Sequence, residues 1–319
     1  MSPPKTCLIL GAGASKPSGY PLGWQLKERI IQYCLSKPPY CAPRGKRDET
    51  WDKLEQFAQR FDDDESPTID AFLNKLPKED ELGRHGRMAL VAVLSTYEHA
   101  YDEREQWYDK VFAFLESTTD FTPLRVVTFN YDRSFEFFLT RSIEKHHQLS
   151  MQAARERFQE VVEIDHVYGY IANLPHFSRS RGLTVEYAQL TGHDLWKAGL
   201  EGIQLIGDAM PVGEHISRSK QWIAESDYVI VLGFGFDHIN LNLIGLDSLS
   251  AGTFLFCSSF KLNAETRSRV RWSCTPAKVH FAGEDTDIAT FLRSSRLLSS
   301  TVSREPVERV YARLGPGIP

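Results

Sequence analysis

The chain has 319 residues, 42% hydrophobic and 25% charged, and is long enough to bury a core without disulfides or a structural metal. Its 37 basic and 42 acidic residues give a formal net charge of −5, so we expect no direct sequence-specific binding of nucleic acid. Five scattered cysteines without a CxxC pair favour a reducing compartment over a disulfide framework.

Apolar runs alternate with helix-like segments along most of the chain. The first run, residues 6–10, leads directly into glycines, as a buried parallel strand does before a phosphate-binding turn. The alternation predicts an α/β fold with a Rossmann-like, doubly wound parallel sheet. Further strands are predicted at 124–129, 161–168, 228–234, 253–257 and 278–281, and helices at 22–34, 131–145, 214–226, 260–270 and 285–296.

Residues from about 45 to 120 interrupt this alternation with amphipathic helical spacing. We interpret them as a helical insert or lid within one domain that spans residues 1–296. Residues 170–200 are predicted to be loops that cover the site. The C-terminal tail, 297–319, is interpreted either as a solvated end or as a docking arm.

A glycine-rich turn, formed by Gly11, Ala12, Gly13, Ala14 and Ser15, follows the first strand. Glycines let a backbone approach phosphates, and helix N–H groups face the anion. Position 16 is a lysine, so the third glycine of GxGxxG is missing, and no GKS or GKT closes a P-loop. The turn alone leaves two interpretations open, a nucleotide-binding loop and a tight structural turn.

The residues after this turn carry a family resemblance. GAGAS followed by SGYPLG at 18–23 resembles the opening motif of the sirtuin-like NAD-binding fold. Matching motifs follow in the family's order, over residues 6 to about 260. They are TIDAFL at 68–73, which resembles an insert element of the prokaryotic branch, TFNYD at 128–132, DHVYG at 165–169 and VLGFGFD at 231–237.

The absence of a zinc ribbon selects one branch of that family. No cysteine occurs between residues 169 and 227, where deacetylating sirtuins carry paired zinc-binding cysteines. The chain therefore resembles the NAD-hydrolysing, sirtuin-like proteins of bacterial antiphage defence. The resemblance implies that NAD+ is bound by the glycine-rich turn together with Tyr20, Pro21, Thr128, Tyr168, Gly233, Phe234, Gly235, Asp237 and Ser258.

The resemblance also implies catalytic roles. Asn130 would bind the nicotinamide-side ribose and order the attacking water, and Asp132 would orient that loop or hold the nicotinamide amide. An alternative is that both residues merely cap the helix that begins near residue 131.

The family's catalytic histidine is replaced here by Tyr168, a poor base because its ordinary pKa is roughly 10. His166 lies two residues earlier, on the same side of a strand. It is therefore the candidate base, since an imidazole titrates near neutral pH. The alternative for His166 is a hydrogen-bonded core histidine.

We therefore expect an NAD+ glycohydrolase that produces nicotinamide and ADP-ribose and depletes NAD+ during phage infection. The remaining histidines lack HxH or HExxH spacing, so no metal is expected. The resemblance implies a homo-oligomer or a regulatory partner such as a hexameric ATPase translocase or an Argonaute. Two alternatives are a non-catalytic NAD or ADP-ribose sensor, favoured by Tyr168, and a structural subunit of a defence complex.

The expected location is the cytoplasm, with no membrane association. The longest apolar stretch, residues 228–236, is far shorter than the roughly 20 residues that span a bilayer. The first five residues also lack the apolar run of a secretory signal.

Overall fold

A computed structural model describes residues 5–39, 45–77, 80–99, 107–117, 123–177, 182–204 and 214–298. The tail predicted at 297–319 thus lies outside the described residues, apart from its first two positions. Within these ranges, no helix has both the length and the apolarity needed to cross a membrane.

The predicted strands are all present and form one parallel sheet. The sheet has six strands in the order β3-β2-β1-β4-β5-β6. Each strand lies within its predicted range, so the α/β, Rossmann-like fold class is confirmed. The strands are β1 (Thr6–Leu10), β2 (Leu124–Thr128), β3 (Val162–His166), β4 (Tyr228–Leu232), β5 (Phe254–Cys257) and β6 (Lys278–Phe281).

The described residues contain thirteen α-helices. Their bounds are α1 (Ala12–Ser15), α2 (Gly23–Leu35), α3 (Arg47–Asp63), α4 (Ile69–Leu73), α5 (Glu81–His99), α6 (Tyr108–Ser117), α7 (Ser134–His147), α8 (Met151–Val161), α9 (Leu195–Gly202), α10 (Glu214–Ala224), α11 (His238–Ile244), α12 (Ala264–Ser273) and α13 (Ile288–Ser295).

The prediction of loops at 170–200 is wrong at the end of that region, where helix α9 begins at Leu195. The glycines of α9 lower its intrinsic helix propensity, so the local sequence did not predict a helix here. Gly199 is needed because a Cβ there would lie 2.9 Å from the backbone carbonyl carbon of Arg87 in α5. Close packing of α9 on α5 therefore stabilises a helix that the local sequence does not favour.

The sheet separates two hydrophobic cores, because successive strand residues point to opposite faces. Cys7 and Ile9 of β1 contribute to one core, and Leu8 and Leu10 contribute to the other. The first core includes buried residues of α2, α3, α4 and α5, and the second includes buried residues of α6, α7, α8 and α13. The helical segment between β1 and β2 therefore covers both faces and belongs to the main cores.

The motif residues meet where the strand order reverses, between β1 and β4. In open α/β sheets, ligands bind in the crevice beyond the carboxyl ends of the strands at such a point. Gly11 directly follows β1, Gly233 directly follows β4, and Asn130 lies two residues after β2. The topology therefore brings together segments that are more than 100 residues apart in sequence.

Candidate functional site

The turns after β1 and β4 contact each other through their backbones. Gly13 N–H donates to the carbonyl of Gly233 at 2.8 Å, and Ala14 N–H donates to the carbonyl of Gly11 at 2.8 Å. A Cβ on Gly11 would lie 2.6 Å from the Gly233 oxygen. The glycines are thus required by this contact, and two N–H groups assigned from the sequence to a phosphate are already bonded within the protein. Ala12, between them, is exposed.

The turn after β4 also requires glycine at its first position. Gly233 has φ of +63°, and a Cβ there would lie 2.1 Å from the backbone nitrogen of Ala14. Its N–H donates to Ser258 Oγ at 2.8 Å, so Ser258 holds this turn from the end of β5. Gly235 differs, because a Cβ there would meet no atom within 4 Å. Its backbone is therefore accessible, as a ligand contact requires.

The remaining predicted ligand contacts of this turn lie beside Gly235. Phe234 is buried, with its ring 4.9 Å from that of Phe129. Asp237 is exposed, and its Oδ1 accepts the N–H groups of Ile239 at 2.9 Å and Asn240 at 3.4 Å. Asp237 therefore caps the start of α11, a role that the sequence motif did not reveal.

Asn130 links the ends of β1 and β2. Its Nδ2 donates to the carbonyl of Gly11 at 3.0 Å and to Ser15 Oγ at 2.9 Å. Its backbone N–H donates to Thr128 Oγ1 at 3.1 Å. The side chain is thus fixed in the crevice next to the glycine-rich turn, and only 9% of the residue is exposed.

Asp132 lies two residues before helix α7. Its Oδ1 accepts the backbone N–H of Ser134 at 3.0 Å and makes a short hydrogen bond with the Ser134 hydroxyl. The same hydroxyl lies 2.9 Å from the phenol oxygen of Tyr108. Burial raises the pKa of Asp132 above its usual range. Helix α7 starts at Ser134 rather than near residue 131, and its N-cap residue is Arg133, so Asp132 bonds to the first residue of α7 from the position before the cap.

His166 lies in the core behind Asn130. Its Nδ1 is 2.8 Å from the Asn130 carbonyl oxygen, and its Nε2 is 2.9 Å from Glu136 Oε1. Nδ1 must donate, because a carbonyl only accepts. The side chains of His166 and Glu136 are each 2% exposed. This geometry matches the alternative of a hydrogen-bonded core histidine, which positions the Asn130 backbone.

Aromatic rings line the edge of the sheet beside Asn130. The ring centroid of Tyr168 is 5.7 Å from that of Phe129 and 6.4 Å from that of Tyr131. The Tyr168 hydroxyl makes a short hydrogen bond to Asn240 Oδ1. Aromatic faces suit a planar heterocycle, above all a cationic one.

A carboxyl group that the sequence did not single out completes this cluster. The Tyr131 hydroxyl makes a short hydrogen bond to Asp70 Oδ1, so α4 reaches the loop after β2. Burial raises the pKa of Asp70 to about 7. Burial, followed by the charges of Asp70 and Asp237, raises the pKa of Tyr168. The TIDAFL motif marked this segment, but no spacing rule connects Asp70 with Tyr131, 61 residues away.

The segment around residues 182–190 contacts the opening motif through Tyr187. Tyr20 is buried, and its hydroxyl lies 3.1 Å from that of Tyr187, while Pro21 is half-buried. Arg133 is fully buried and makes two 2.8 Å bonds to the carboxylate of Glu98. It also donates to the carbonyls of Asn173 and Val185, at 3.0 and 2.6 Å.

One group of side chains has the composition of a metal site. Glu116 lies 3.5 Å from His146 Nε2 and 3.0 Å from His147 Nε2, and all three are exposed. Exposed carboxylate–imidazole pairs also form without an ion. The group lies at the far end of α7 from Asn130, so it takes no part in the candidate site.

Comparison with protein-family models gave no matching model, and comparison with curated proteins gave no matching relative. The observations on function are therefore the motifs themselves and their convergence at the point where the strand order reverses.

Proposed function

We propose that this protein is a sirtuin-like NAD+ hydrolase that cleaves NAD+ to nicotinamide and ADP-ribose. The observation that carries the proposal is the position of Asn130, whose amide is bonded to the glycine-rich turn at the point where the strand order reverses. This is a position at which α/β folds bind nucleotides. The side chain that would order the ribose and the water is therefore held before any ligand arrives.

The chemistry of NAD+ cleavage suits the groups around Asn130. The nicotinamide nitrogen is cationic in NAD+, so nicotinamide leaves as a neutral molecule without a strong general acid. Positive charge then develops on the ribose and must be stabilised by fixed dipoles and nearby carboxylates. The rings of Phe129 and Tyr168 and the carboxyl groups of Asp70 and Asp237 supply such an environment.

The biological setting follows from the same resemblance. An enzyme that destroys NAD+ must be inactive in a healthy cell, so its activity has to be controlled. We propose depletion of NAD+ in response to phage infection, controlled by homo-oligomerisation or by a separate partner such as a hexameric ATPase translocase or an Argonaute.

The test is nicotinamide release from NAD+ by the purified chain, alone and with lysate from phage-infected host cells. Asn130→Ala is expected to lower release by about 100-fold or more, because it removes the group that positions the reactants. Asn242→Ala makes the same change at an exposed position of α11 and should retain activity. Thermal melting of each variant checks that it is folded. Undiminished release by folded Asn130→Ala would overturn the proposal.

A second candidate function is a non-catalytic sensor of NAD+ or ADP-ribose. Two observations favour it: Tyr168 stands at the family's histidine position, and His166 has both ring nitrogens engaged. A sensor would be stabilised by either ligand and would release no nicotinamide under any condition. A ligand at 100 times its Kd adds about 2.7 kcal/mol to the free energy of unfolding, which thermal melting can detect.

A further inference from the structure

The NAD+ hydrolase proposed above needs a base, and three of its polar groups are poorly placed for that role. Both ring nitrogens of His166 are bonded, to the Asn130 carbonyl and to Glu136. Tyr168 donates its hydroxyl proton to Asn240 and has a raised pKa, so it is not a base near neutral pH. Asp132 Oδ1 accepts two bonds from Ser134 at the start of α7.

Packing of the apolar face of α4 holds Asp70 next to the loop that follows β2. Its neighbour Ile69 is buried, as is Phe72, whose ring lies 4.8 Å from that of Phe61 and 5.6 Å from that of Phe57. Thr68 caps the helix, with its Oγ1 accepting a backbone N–H one turn later. The backbone of Asp70 is therefore fixed by packing and capping rather than by the carboxyl group.

The Asp70 carboxyl group faces the residue next to Asn130. The Tyr131 hydroxyl donates to Oδ1 of Asp70, which engages one of the two carboxylate oxygens. Asp70 also acts electrostatically on Tyr168, together with Asp237 from the start of α11. Asp70 is half-buried, whereas Asp132 and His166 are buried. Asp70 is thus a half-buried carboxyl group bonded to the loop that carries Asn130 and close enough to act electrostatically on Tyr168.

We propose that Asp70 is the base that takes the proton from the attacking water, and that Tyr131 positions its carboxylate. This inference rests on the proposed NAD+ hydrolase activity. The water oxygen forms a bond to C1′ of the ribose, and the bond from C1′ to the nicotinamide nitrogen breaks. The electron pair of the broken bond stays on the nicotinamide nitrogen and neutralises the ring. One proton of the water passes to the carboxylate of Asp70 and is later released to solvent.

The environment of Asp70 suits this step. The Tyr131 phenol donates to this carboxyl group, and the charges of Asp70 and Asp237 both act on Tyr168. Burial raises the pKa of Asp70 to about 7, and the hydrogen bond from its own backbone N–H offsets only part of that effect. A base with a pKa near the working pH is the most efficient.

The experiment compares Asp70→Asn with the exposed control Asp63→Asn in nicotinamide release and in NAD+ affinity, measured by calorimetry. Asp70→Asn is expected to lower kcat by about 100- to 10,000-fold and to leave NAD+ affinity within about threefold. In the wild type, kcat should rise with pH through about 7, the pKa of Asp70, and this rise should be absent in Asp70→Asn.

The variant Tyr131→Phe distinguishes a role of Asp70 as the base from a purely structural role. It removes a hydrogen bond to the charged carboxylate, so the pH at which kcat rises should move upwards, with the rate recovered at higher pH. If Asp70→Asn does not fold, this shift decides the inference, and an unshifted profile overturns it.

The failures of the two proposals are distinguishable. If Asp70→Asn keeps kcat within about threefold while Asn130→Ala is inactive, Asp70 is not the base and the hydrolase proposal stands. If the wild type binds NAD+ without releasing nicotinamide under any condition, the hydrolase proposal and the role of Asp70 both fail.

Discussion

The candidate site has two halves that are built in different ways. The glycine half consists of residues 11–15 and 233–237, whose backbones contact each other directly. The side-chain half consists of Asn130, Asp132, His166 and Tyr168 with Asp70, and depends on hydrogen bonds between side chains. The first half tolerates little change in backbone shape, whereas the second concentrates groups that can bind or exchange protons. Substitutions should therefore affect stability in the first half and chemistry in the second.

The largest effect is expected from Gly233→Ala. Its φ of +63° disfavours a side chain, and its Cβ would lie 2.1 Å from the Ala14 nitrogen. We expect a loss of about 3 kcal/mol or more in the free energy of unfolding, or failure to fold. Gly235→Ala, in the same turn, meets no atom within 4 Å and should change that free energy by less than about 1 kcal/mol. Urea unfolding measures both; equal losses would contradict the steric account of this half.

The second-largest effect is expected from breaking the buried ion pair between Arg133 and Glu98, which lies next to the side-chain half. Arg133→Ala leaves the Glu98 carboxylate buried without its cation, so we expect a loss of about 3–5 kcal/mol in the free energy of unfolding. Arg157→Ala breaks an exposed pair with Glu160 and should cost at most about 1 kcal/mol. Chemical denaturation compares the two variants. A loss of less than about 1 kcal/mol for Arg133→Ala would mean that the contacts of Arg133 with the segment around 182–190 do not stabilise the fold.

Asp70 should make stability depend on pH. Its pKa is about 7 in the folded chain and about 4 in the unfolded chain, so the folded state binds this proton more tightly. Its contribution is complete below about pH 4 and is lost as the pH rises through about 7. Asp70→Asn should therefore be more stable than the wild type by up to about 4 kcal/mol above pH 7, with the difference vanishing towards pH 4. A difference independent of pH, in melting curves from pH 4 to 8, would refute the assigned ionisation.

The smallest effect is expected from Tyr168→Phe. The ring remains in place against Phe129, and only the hydroxyl bond to Asn240 is lost. Because the raised pKa of Tyr168 rules it out as a base, nicotinamide release should stay within about threefold of the wild type. A hundredfold loss in a folded variant would instead make the tyrosine part of the chemistry.

Local sequence was sufficient for most of the sheet. Segments with Val, Ile, Leu and Phe between helix-like stretches predicted the strands, and every strand lies within its predicted range. Helix α9 was missed because its stability comes from packing against α5, which no local pattern reveals. Helix α7 starts at Ser134, three residues later than predicted, after the loop in which Asp132 accepts the Ser134 N–H.

The sequence by itself determined the order of the motifs, and thereby that Gly11, Asn130 and Gly233 follow strands of one parallel sheet. The carboxyl ends of parallel strands share one edge, so their proximity follows from topology. Only the tertiary structure decided what each polar group bonds to. It turned His166 towards Glu136, bonded the Gly13 N–H to Gly233, and brought Asp70 from a distant helix to Tyr131. The reason is physical: the pKa and the accessibility of a side chain depend on burial and on partners that lie far away in the sequence.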